Sequence, residues 1–99
     1  MTYRFHPEAE PELQEAYDYY ESRQQGLGRR FGQAFDEGLS KILENPFAAG
    51  VLEEPYRLIR LKRFPYGILY NIRDPEQELV IVAVMHLHRR PGYWKQRVK

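Results

Sequence analysis

The chain has no cysteine among its 99 residues, which excludes disulfides, thiolate nucleophiles and cysteine-based metal sites. It also lacks a run of about 18 or more apolar residues, and no basic segment followed by an apolar one stands at its N-terminus. The sequence therefore predicts neither a membrane span nor secretion. We expect a cytoplasmic protein whose fold depends on packing alone.

Several signatures of catalysis are missing as well. The sequence contains no close pair of catalytic-type carboxylates, no glycine-rich phosphate loop and no nucleophile elbow, so it predicts no cofactor and supports few enzyme classes. What it does contain is 42% hydrophobic residues, which is enough for one compact core in a chain of this length but not for two. We expect a single domain over residues 1–99.

Charge is distributed unevenly along the chain. Residues 1–55 carry five Lys and Arg against eleven Asp and Glu, a balance of −6, whereas residues 56–99 carry ten against three, a balance of +7. If the two parts form different surfaces, the basic one would attract nucleic acid, an acidic partner protein or a phosphate-bearing substrate. The alternative is that each part only solvates its own surface.

The N-terminal part reads as a strand followed by two helices. Thr2 to His6 alternate between apolar and polar side chains until Pro7, which predicts a short strand. Acidic residues beyond Pro7 suit a helix N-terminus, and two apolar stripes with helical spacing follow before Pro46, so an antiparallel helical hairpin is expected. The first stripe comprises Ala9, Leu13, Ala16, Tyr17 and Tyr20, and the second Leu27, Phe31, Ala34, Phe35, Gly38 and Ile42.

The C-terminal part reads as three strands. Asn45 to Pro55 is predicted to be a loop, and Asp74 to Gln77 a turn. The strands are expected at Tyr56–Arg63, Tyr66–Arg73 and Leu79–Leu87, and the last has one face with Leu79, Ile81, Ala83 and Met85 and another with Val80, Val82 and Val84. Because it is apolar on both faces, it should lie inside the sheet. The predicted fold is α+β, in the order β-α-α-β-β-β, with the hairpin packed on one face of a small, mostly antiparallel sheet.

Cations on the first of these three strands are candidates for binding. Alternation places Arg60 and Lys62 on one face and Arg57 and Arg63 on the other. With Arg89 or Arg90 from the tail, Arg60 and Lys62 would form a patch for phosphate or carboxylate groups. The alternative is an exposed, salt-bridged outer face of an edge strand.

Two histidines close the last strand. His86 and His88 have the spacing of a metal-binding pair, but no third ligand is near them, so we predict no metal site. General acid–base chemistry is a better use of this region: a histidine such as His88 can exchange protons, Tyr93 can donate a proton, and Arg89 and Arg90 can stabilise phosphoryl charge. These are ingredients for RNA cleavage by the neighbouring 2′-hydroxyl.

Two aromatic residues follow Pro91-Gly92. Tyr93 and Trp94 are able to stack on bases or insert into a protein groove if they are exposed. For Trp94 we favour a packing role instead, in which it folds back over the open end of the helical hairpin. The sequence leaves Tyr93 open.

An ordered set of motifs resembles one known family. It comprises Pro7-Glu8-Ala9 leading into Tyr19-Tyr20-Glu21, Gly26-Leu27-Gly28, Arg60 to Tyr66, Ile68 to Ile72, Ala83 to His86, and Arg89-Arg90-Pro91. This combination resembles the RelE/ParE superfamily of bacterial type II toxins over nearly the whole chain. The resemblance implies a toxin neutralised by a separate antitoxin, whose partly disordered segment folds on binding.

The two branches of that superfamily imply different activities. The RelE-like branch implies a ribosome-dependent messenger RNA endonuclease, for which the candidate catalytic residues are Arg60, Lys62, His88, Arg89 and Tyr93. However, Gly67 stands where that branch has an arginine, and Tyr93 is off the expected spacing. Phe64-Pro65-Tyr66 and Val84-Met85-His86 are more similar to the ParE-like branch, which implies inhibition of DNA gyrase, arrest of growth and plasmid stabilisation.

We therefore expect a ParE-like gyrase inhibitor that acts by binding, with the messenger RNA endonuclease as the alternative. A basic nucleic-acid-binding module without toxicity is the third possibility. The expected partners are a cognate antitoxin and DNA gyrase, or the ribosome and its messenger RNA under the alternative. The residues expected to bind a target or partner are Arg60, Lys62, His88, Arg89, Arg90, Tyr93, Trp94 and Arg97.

Overall fold

The computed structural model describes residues 1–73 and 77–99, so most of the predicted turn at residues 74–77 lies outside the described residues. Its elements are β1 (Thr2–Phe5), α1 (Ala9–Arg23), α2 (Leu27–Glu44), β2 (Gly50–Glu53), β3 (Tyr56–Arg60), β4 (Tyr66–Arg73), β5 (Glu78–His86) and a final 3₁₀ turn (Lys95–Val98). The predicted α+β class and element order are confirmed, with one additional strand. Neither helix has the length and apolar character needed to cross a bilayer, within the described ranges.

The strands form one five-stranded sheet in the order β1-β5-β4-β3-β2. β1 runs parallel to β5 and the other pairs are antiparallel, so the sheet is mostly antiparallel and β5 lies inside it, as predicted. The prediction of a loop throughout residues 45–55 was wrong, because Gly50–Glu53 pairs with β3. All four residues of β2 are exposed, so the strand has no apolar alternation that the sequence could display.

The helical hairpin closes tightly between α1 and α2. The Glu21 carboxylate accepts hydrogen bonds from the backbone N–H of Gly26 at 3.0 Å and of Gly28 at 3.0 Å, and so caps α2 from the preceding helix. A Cβ at position 28 would lie 2.7 Å from the Tyr17 carbonyl oxygen. Glycine at this position therefore permits the close approach of the two helices.

Apolar residues pack on both faces of the sheet. On one face, the helices cover a core that includes Phe31, Phe35, Ile68 and Ile81. On the other, a smaller cluster without helical residues contains Leu69, Val80, Val82, Ala83, Met85 and Trp94. The sheet thus has a helix face and a tail face.

A β-bulge changes the faces of β5. Leu69 pairs with Ala83 while Tyr70 pairs with Ile81, which leaves Val82 as the extra residue. Val82 and Ala83 consequently both pack on the tail face, and Val84 packs on the helix face. The regular alternation predicted for this strand was wrong because one inserted residue reverses every later side chain.

Candidate functional site: the tail groove and its anchor

The tail is held by one carboxylate near the start of α1. Arg97 donates from Nη1 to Glu12 Oε1 at 2.8 Å and from Nη2 to Glu12 Oε2 at 2.7 Å. The Tyr93 hydroxyl donates to the same Oε2 at 2.7 Å. The side chains of Glu12 and Arg97 are only 10% and 8% exposed, so this is a nearly buried, bidentate ion pair.

The same pair completes the open edge of β5. The parallel pairing with β1 ends near Phe5, and the His6 N–H still donates to the Ile81 carbonyl. Beyond that point the Val84 N–H donates to Glu12 Oε1 at 3.0 Å, and the Val82 carbonyl accepts from Arg97 Nη1 at 3.0 Å. The side chains of Glu12 and Arg97 therefore form the hydrogen bonds with the β5 backbone that β1 would form if it were longer.

Tyr93 is part of the anchor formed by Glu12 and Arg97, and its hydroxyl is not free at the surface. The Arg89 guanidinium lies 3.7 Å from the centre of its ring and that of Arg97 lies 5.0 Å from it. Burial, and then the hydrogen bond to Glu12, raise the pKa of Tyr93 well above its usual range. The hydrogen bond to Glu12 likewise raises the pKa of Arg97, so the phenol stays neutral and the guanidinium charged.

Trp94 is 2% exposed, but it does not cover the open end of the helical hairpin as the sequence suggested. It packs on the tail face of the sheet, where its ring meets Tyr56 edge to face with 5.0 Å between centroids. The tail crosses the tail face of the sheet because Arg97 hydrogen-bonds to Glu12 and Val82 at the edge of β5. The indole Nε1 is buried and has no hydrogen-bond partner within residues 1–73 and 77–99.

A groove of about 360 Å³ lies between the tail, β2 and the sheet, and we call it the tail groove. Apolar side chains line its base, and Arg60, Arg89 and Lys95 supply positive charge. Lys95 is paired with Glu53 at 2.9 Å, whereas no ion pair of Arg60 occurs in the described part of the chain. The apolar lining residues are Leu52, Leu58, Met85, Leu87 and Trp94.

Lys62 does not join Arg60 in this groove, which corrects the prediction that the two share a face. β3 ends at Arg60 instead of continuing to Arg63, and Leu61 turns into the helix-face core. Lys62 and Arg63 then line a different groove beside the helices, and Arg63 has a positive φ of 69°. The strand alternation used for the prediction stops applying once the chain leaves the sheet.

The remaining candidates lie at the surface of the segment after β5. His88 and Arg90 are exposed, and neither is among the residues that line the tail groove. The His88 N–H donates to His86 Nδ1 at 3.1 Å, which engages the first histidine in a local turn. No group of three or more metal-binding side chains occurs in the parts of the chain that the structure describes.

Glu12 is the residue of the candidate site that sequence reasoning missed. Its position beside Pro11 in the first turn of α1 suggested only a favourable interaction with the helix dipole. Its two main partners, Tyr93 and Arg97, lie more than 80 positions away in the chain. No local pattern connects them, and the only signal was an acidic first turn matched by a basic tail.

Comparison with known proteins assigns this chain to the small toxins of bacterial toxin–antitoxin systems. A family model described as the ParE toxin of the type II toxin–antitoxin system parDE matches residues 3–91. The chain therefore belongs to the ParE toxin family, as the resemblance in its sequence indicated, and a toxin of such a system has an antitoxin as its partner. A comparison with curated proteins found no match.

A solved structure supports the same fold. It is described as the chromosomal ParDE TA system from P. aeruginosa, and it aligns with a TM-score of 0.73 over 89% of this chain and 97% of that one. The two sequences are 20% identical. At this identity the similarity shows a shared fold only. The target of this chain must therefore be inferred from its own residues.

Proposed function

We propose that this ParE toxin acts by binding, that it inhibits DNA gyrase and so blocks replication, and that the tail groove makes the inhibitory contact. The observation that carries the proposal is the combination, at one groove, of apolar lining residues with two exposed arginines. Arg60 has no ion pair within the described residues, and Arg89 lies 3.4 Å from Glu12 while its side chain stays about half exposed. Arginine and tryptophan are among the residue types that dominate protein–protein binding energy, and Arg60, Arg89 and Trp94 all line this groove. We further propose that the protein acts in the cytoplasm.

A binding mechanism is supported by how the candidate proton-transfer groups are used. The hydroxyl of Tyr93, which would be the proton donor of a ribonuclease, already donates a hydrogen bond to Glu12. His88 lies outside the groove lining, and Lys62 lines a different groove from Arg60 and Arg89. General acid–base catalysis needs such groups within hydrogen-bond reach of one reacting centre, which favours the gyrase-binding proposal over RNA cleavage.

The antitoxin is proposed to neutralise the toxin by covering the tail groove. A positively charged rim around an apolar base selects an acidic segment with apolar anchors, and such a segment of a partly disordered antitoxin would fold as it binds. Trp94 forms part of the groove lining and is the only tryptophan in the chain. Its fluorescence should therefore report occupation of the groove.

The decisive experiment incubates purified toxin with DNA gyrase, ATP and supercoiled plasmid, then denatures the protein and measures linear DNA. Gyrase-dependent linear DNA that increases with toxin concentration is expected. Arg60→Glu should reduce this yield about tenfold or more, because it reverses a charge at the groove. The matched variant Arg29→Glu reverses an exposed charge on α2, outside the groove, and should change the yield by less than about twofold.

A second assay separates the alternatives. The same toxin preparation is added to ribosomes programmed with messenger RNA, and the RNA is examined for cleavage. Intact RNA together with linear DNA in the gyrase reaction supports the proposal. Cleaved RNA without linear DNA would replace it with the endonuclease mechanism.

A further inference from the structure

Three exposed apolar side chains lie together where α2 leads into β2. Phe47 is 62% exposed, and Val51 and Leu52 on β2 are 43% and 48% exposed. Arg57 connects them, because it pairs with Val51 across the strands and its guanidinium lies 5.4 Å from the centre of the Phe47 ring. Single exposed apolar residues are common on soluble proteins, whereas a contiguous group of them indicates a contact surface. We call Phe47, Val51 and Leu52 the β2 patch.

The backbone that carries the Phe47 ring is held in place by two strands of the sheet. The hydroxyl of the fully buried Tyr70 on β4 donates to the Pro46 carbonyl at 2.6 Å. Arg57 Nη1 on β3 donates to the carbonyl oxygens of Phe47 at 3.0 Å and of Ala49 at 2.7 Å. An aromatic side chain on a segment that is already ordered loses little conformational entropy on binding, so it suits the role of an anchor.

The β2 patch is continuous with the tail groove. Leu52 belongs to both surfaces, since it also lines the tail groove. A neighbouring depression of about 390 Å³ is lined by Val51 and shares Leu52, Leu58 and Arg60 with the tail groove. A protein that covers the tail groove therefore meets the edge of β2 next to it.

Acidic side chains flank the β2 patch. Glu44 ends α2 three positions before the patch begins, and Glu53 and Glu54 follow its last residue directly. All three are exposed, and only Glu53 forms an ion pair within the described ranges, with Lys95. The patch thus carries free negative charge, in contrast to the tail groove. This charge disfavours nucleic acid and favours a basic protein surface.

We infer that the β2 patch is a second contact with DNA gyrase, in which Phe47 is the anchor and a determinant of affinity. The inference rests on the proposed gyrase contact at the tail groove and extends it along the adjoining strand. An enzyme that holds DNA presents lysines and arginines to the phosphates, so basic side chains lie along its DNA path. The Phe47 ring enters an apolar pocket of the enzyme, and Glu44 and Glu54 pair with basic residues beside that pocket.

Affinity is tested by titrating toxin in the linear-DNA assay. Phe47→Ala should raise the toxin concentration for half-maximal linear DNA about tenfold or more and leave the maximal yield unchanged, because it removes a binding anchor. Phe47→Tyr retains the ring and should stay within about threefold of the parent. The matched control Tyr19→Ala truncates an aromatic side chain that is 53% exposed on α1 and should change the concentration by less than about twofold. Unchanged urea midpoints exclude a folding defect.

Charge reversal tests the acidic flank. Glu44→Lys should raise the half-maximal toxin concentration about threefold or more, since a positive charge then faces a basic surface. The control Asp36→Lys makes the same charge change at an exposed position of α2 outside the patch, and should raise it by less than about 1.5-fold. Equal effects of the two variants would contradict the assigned partner surface.

The location is tested directly with a photoreactive benzophenone amino acid in the whole chain. It replaces Phe47 in one preparation and Tyr19 in the other, and each is irradiated with gyrase and plasmid. A covalent toxin–gyrase product is expected from the first preparation and little from the second.

The outcomes separate this contact from the proposed inhibition. Selective loss in Phe47→Ala, together with cross-linking of position 47 to gyrase, supports the inference. Cross-linking of position 47 to DNA, or equal cross-linking from both positions, would overturn it. If the parent yields linear DNA and Phe47→Ala is equally potent, the β2 patch alone is refuted. If the parent yields none but position 47 cross-links to gyrase, the contact stands and the proposed inhibition fails. Absence of both results overturns both.

Discussion

Glu12 and Arg97 form a bidentate ion pair across 85 positions of sequence, with donor–acceptor distances of 2.8 and 2.7 Å. The same carboxylate receives the Val84 N–H and the Tyr93 hydroxyl. One side chain of α1 therefore fixes the β5 edge and the C-terminal tail together. The shape of the tail groove depends on this anchor, because Trp94 lies between Tyr93 and Arg97 in the chain.

Replacing the anchor carboxylate should be costly. Glu12→Gln removes the close counter-charge of the nearly buried Arg97 and leaves only Glu8 at 3.9 Å, so we expect the free energy of unfolding to fall by about 3 kcal/mol or more. Urea denaturation followed by far-ultraviolet circular dichroism measures it. Glu10→Gln, an exposed residue in the same helical turn, should stay within about 0.5 kcal/mol of the parent, and an equal loss there would contradict the anchor.

The two partners should also depend on each other. Arg97→Met alone leaves Glu12 with only the longer ion pair to Arg89 at 3.4 Å, whereas the double variant Glu12→Gln with Arg97→Met removes both charges of the close pair. We expect the double variant to be destabilised by less than the sum of the single variants, by about 1 kcal/mol or more. Additive effects in the same urea experiment would show that the pair contributes no coupling.

Trp94 should tolerate an aromatic replacement better than truncation. Trp94→Ala leaves a cavity on the tail face and should cost about 3–5 kcal/mol, while Trp94→Phe retains much of the packing. Phe also removes the buried indole N–H, which has no partner within the described ranges. We expect Trp94→Phe to cost at least about 1.5 kcal/mol less than Trp94→Ala in thermal and urea unfolding. Equal costs would contradict this expectation and show that a phenyl ring recovers none of the packing of the indole.

Stability should decline in alkaline solution. Burial raises the pKa of Tyr20, Tyr66, Tyr70 and Tyr93 in the folded chain, and the hydrogen bond to Glu12 raises that of Tyr93 further. Above the unfolded value of about 10 the unfolded state releases these protons first, so the stabilisation present below pH 10 is lost as pH rises through the folded pKa values. The urea midpoint measured between pH 8 and 11 should fall, and Tyr93→Phe should flatten the decline. Replacing the exposed Tyr3 by Phe should leave the slope almost unchanged.

Gly67 should resist even a methyl group. A Cβ there would lie 2.7 Å from Leu58 Cδ1 and 3.0 Å from the Ile59 carbonyl oxygen. Gly67→Ala should therefore cost about 1–3 kcal/mol through overpacking between β3 and β4. Adding Leu58→Ala removes the closest atom, so the double variant should be destabilised by less than the sum of the two single changes in urea unfolding. A neutral Gly67→Ala would show that the two strands have room to separate.

The fold was largely predictable because its elements carry local signals. Buried positions of a helix or strand recur at a regular spacing, which can be recognised in the sequence. The apolar stripe around Phe31 and Phe35 in α2 and the continuous apolar run of β5 are examples. β2 and the bulge at Val82 carry no such signal. The first is exposed along its length, and the second is one inserted residue within a run that is apolar in either register.

The candidate site was predictable only in part. Arg60 and Arg89 were expected together, and they do line one groove. The positions of Lys62, Tyr93 and Trp94 depend on the residue at which β3 ends and on the carboxylate that binds the tail. Both are set by tertiary contacts, which the sequence pattern does not show. Sequence spacing indicates which side chains are near one another within an element, but the Glu12 anchor joins elements from opposite ends of the chain.

The inner position of β5 has a consequence for how the toxin is made. β1, β4 and the Glu12 carboxylate of α1 all bond to residues 78–86, so none of these contacts exists until that stretch has been synthesised. The tail groove requires still later residues, down to Arg97. A ribosome that stops before residue 78 thus yields chains without the inner strand of the sheet, and the tail groove is complete only after the ribosome has passed Arg97.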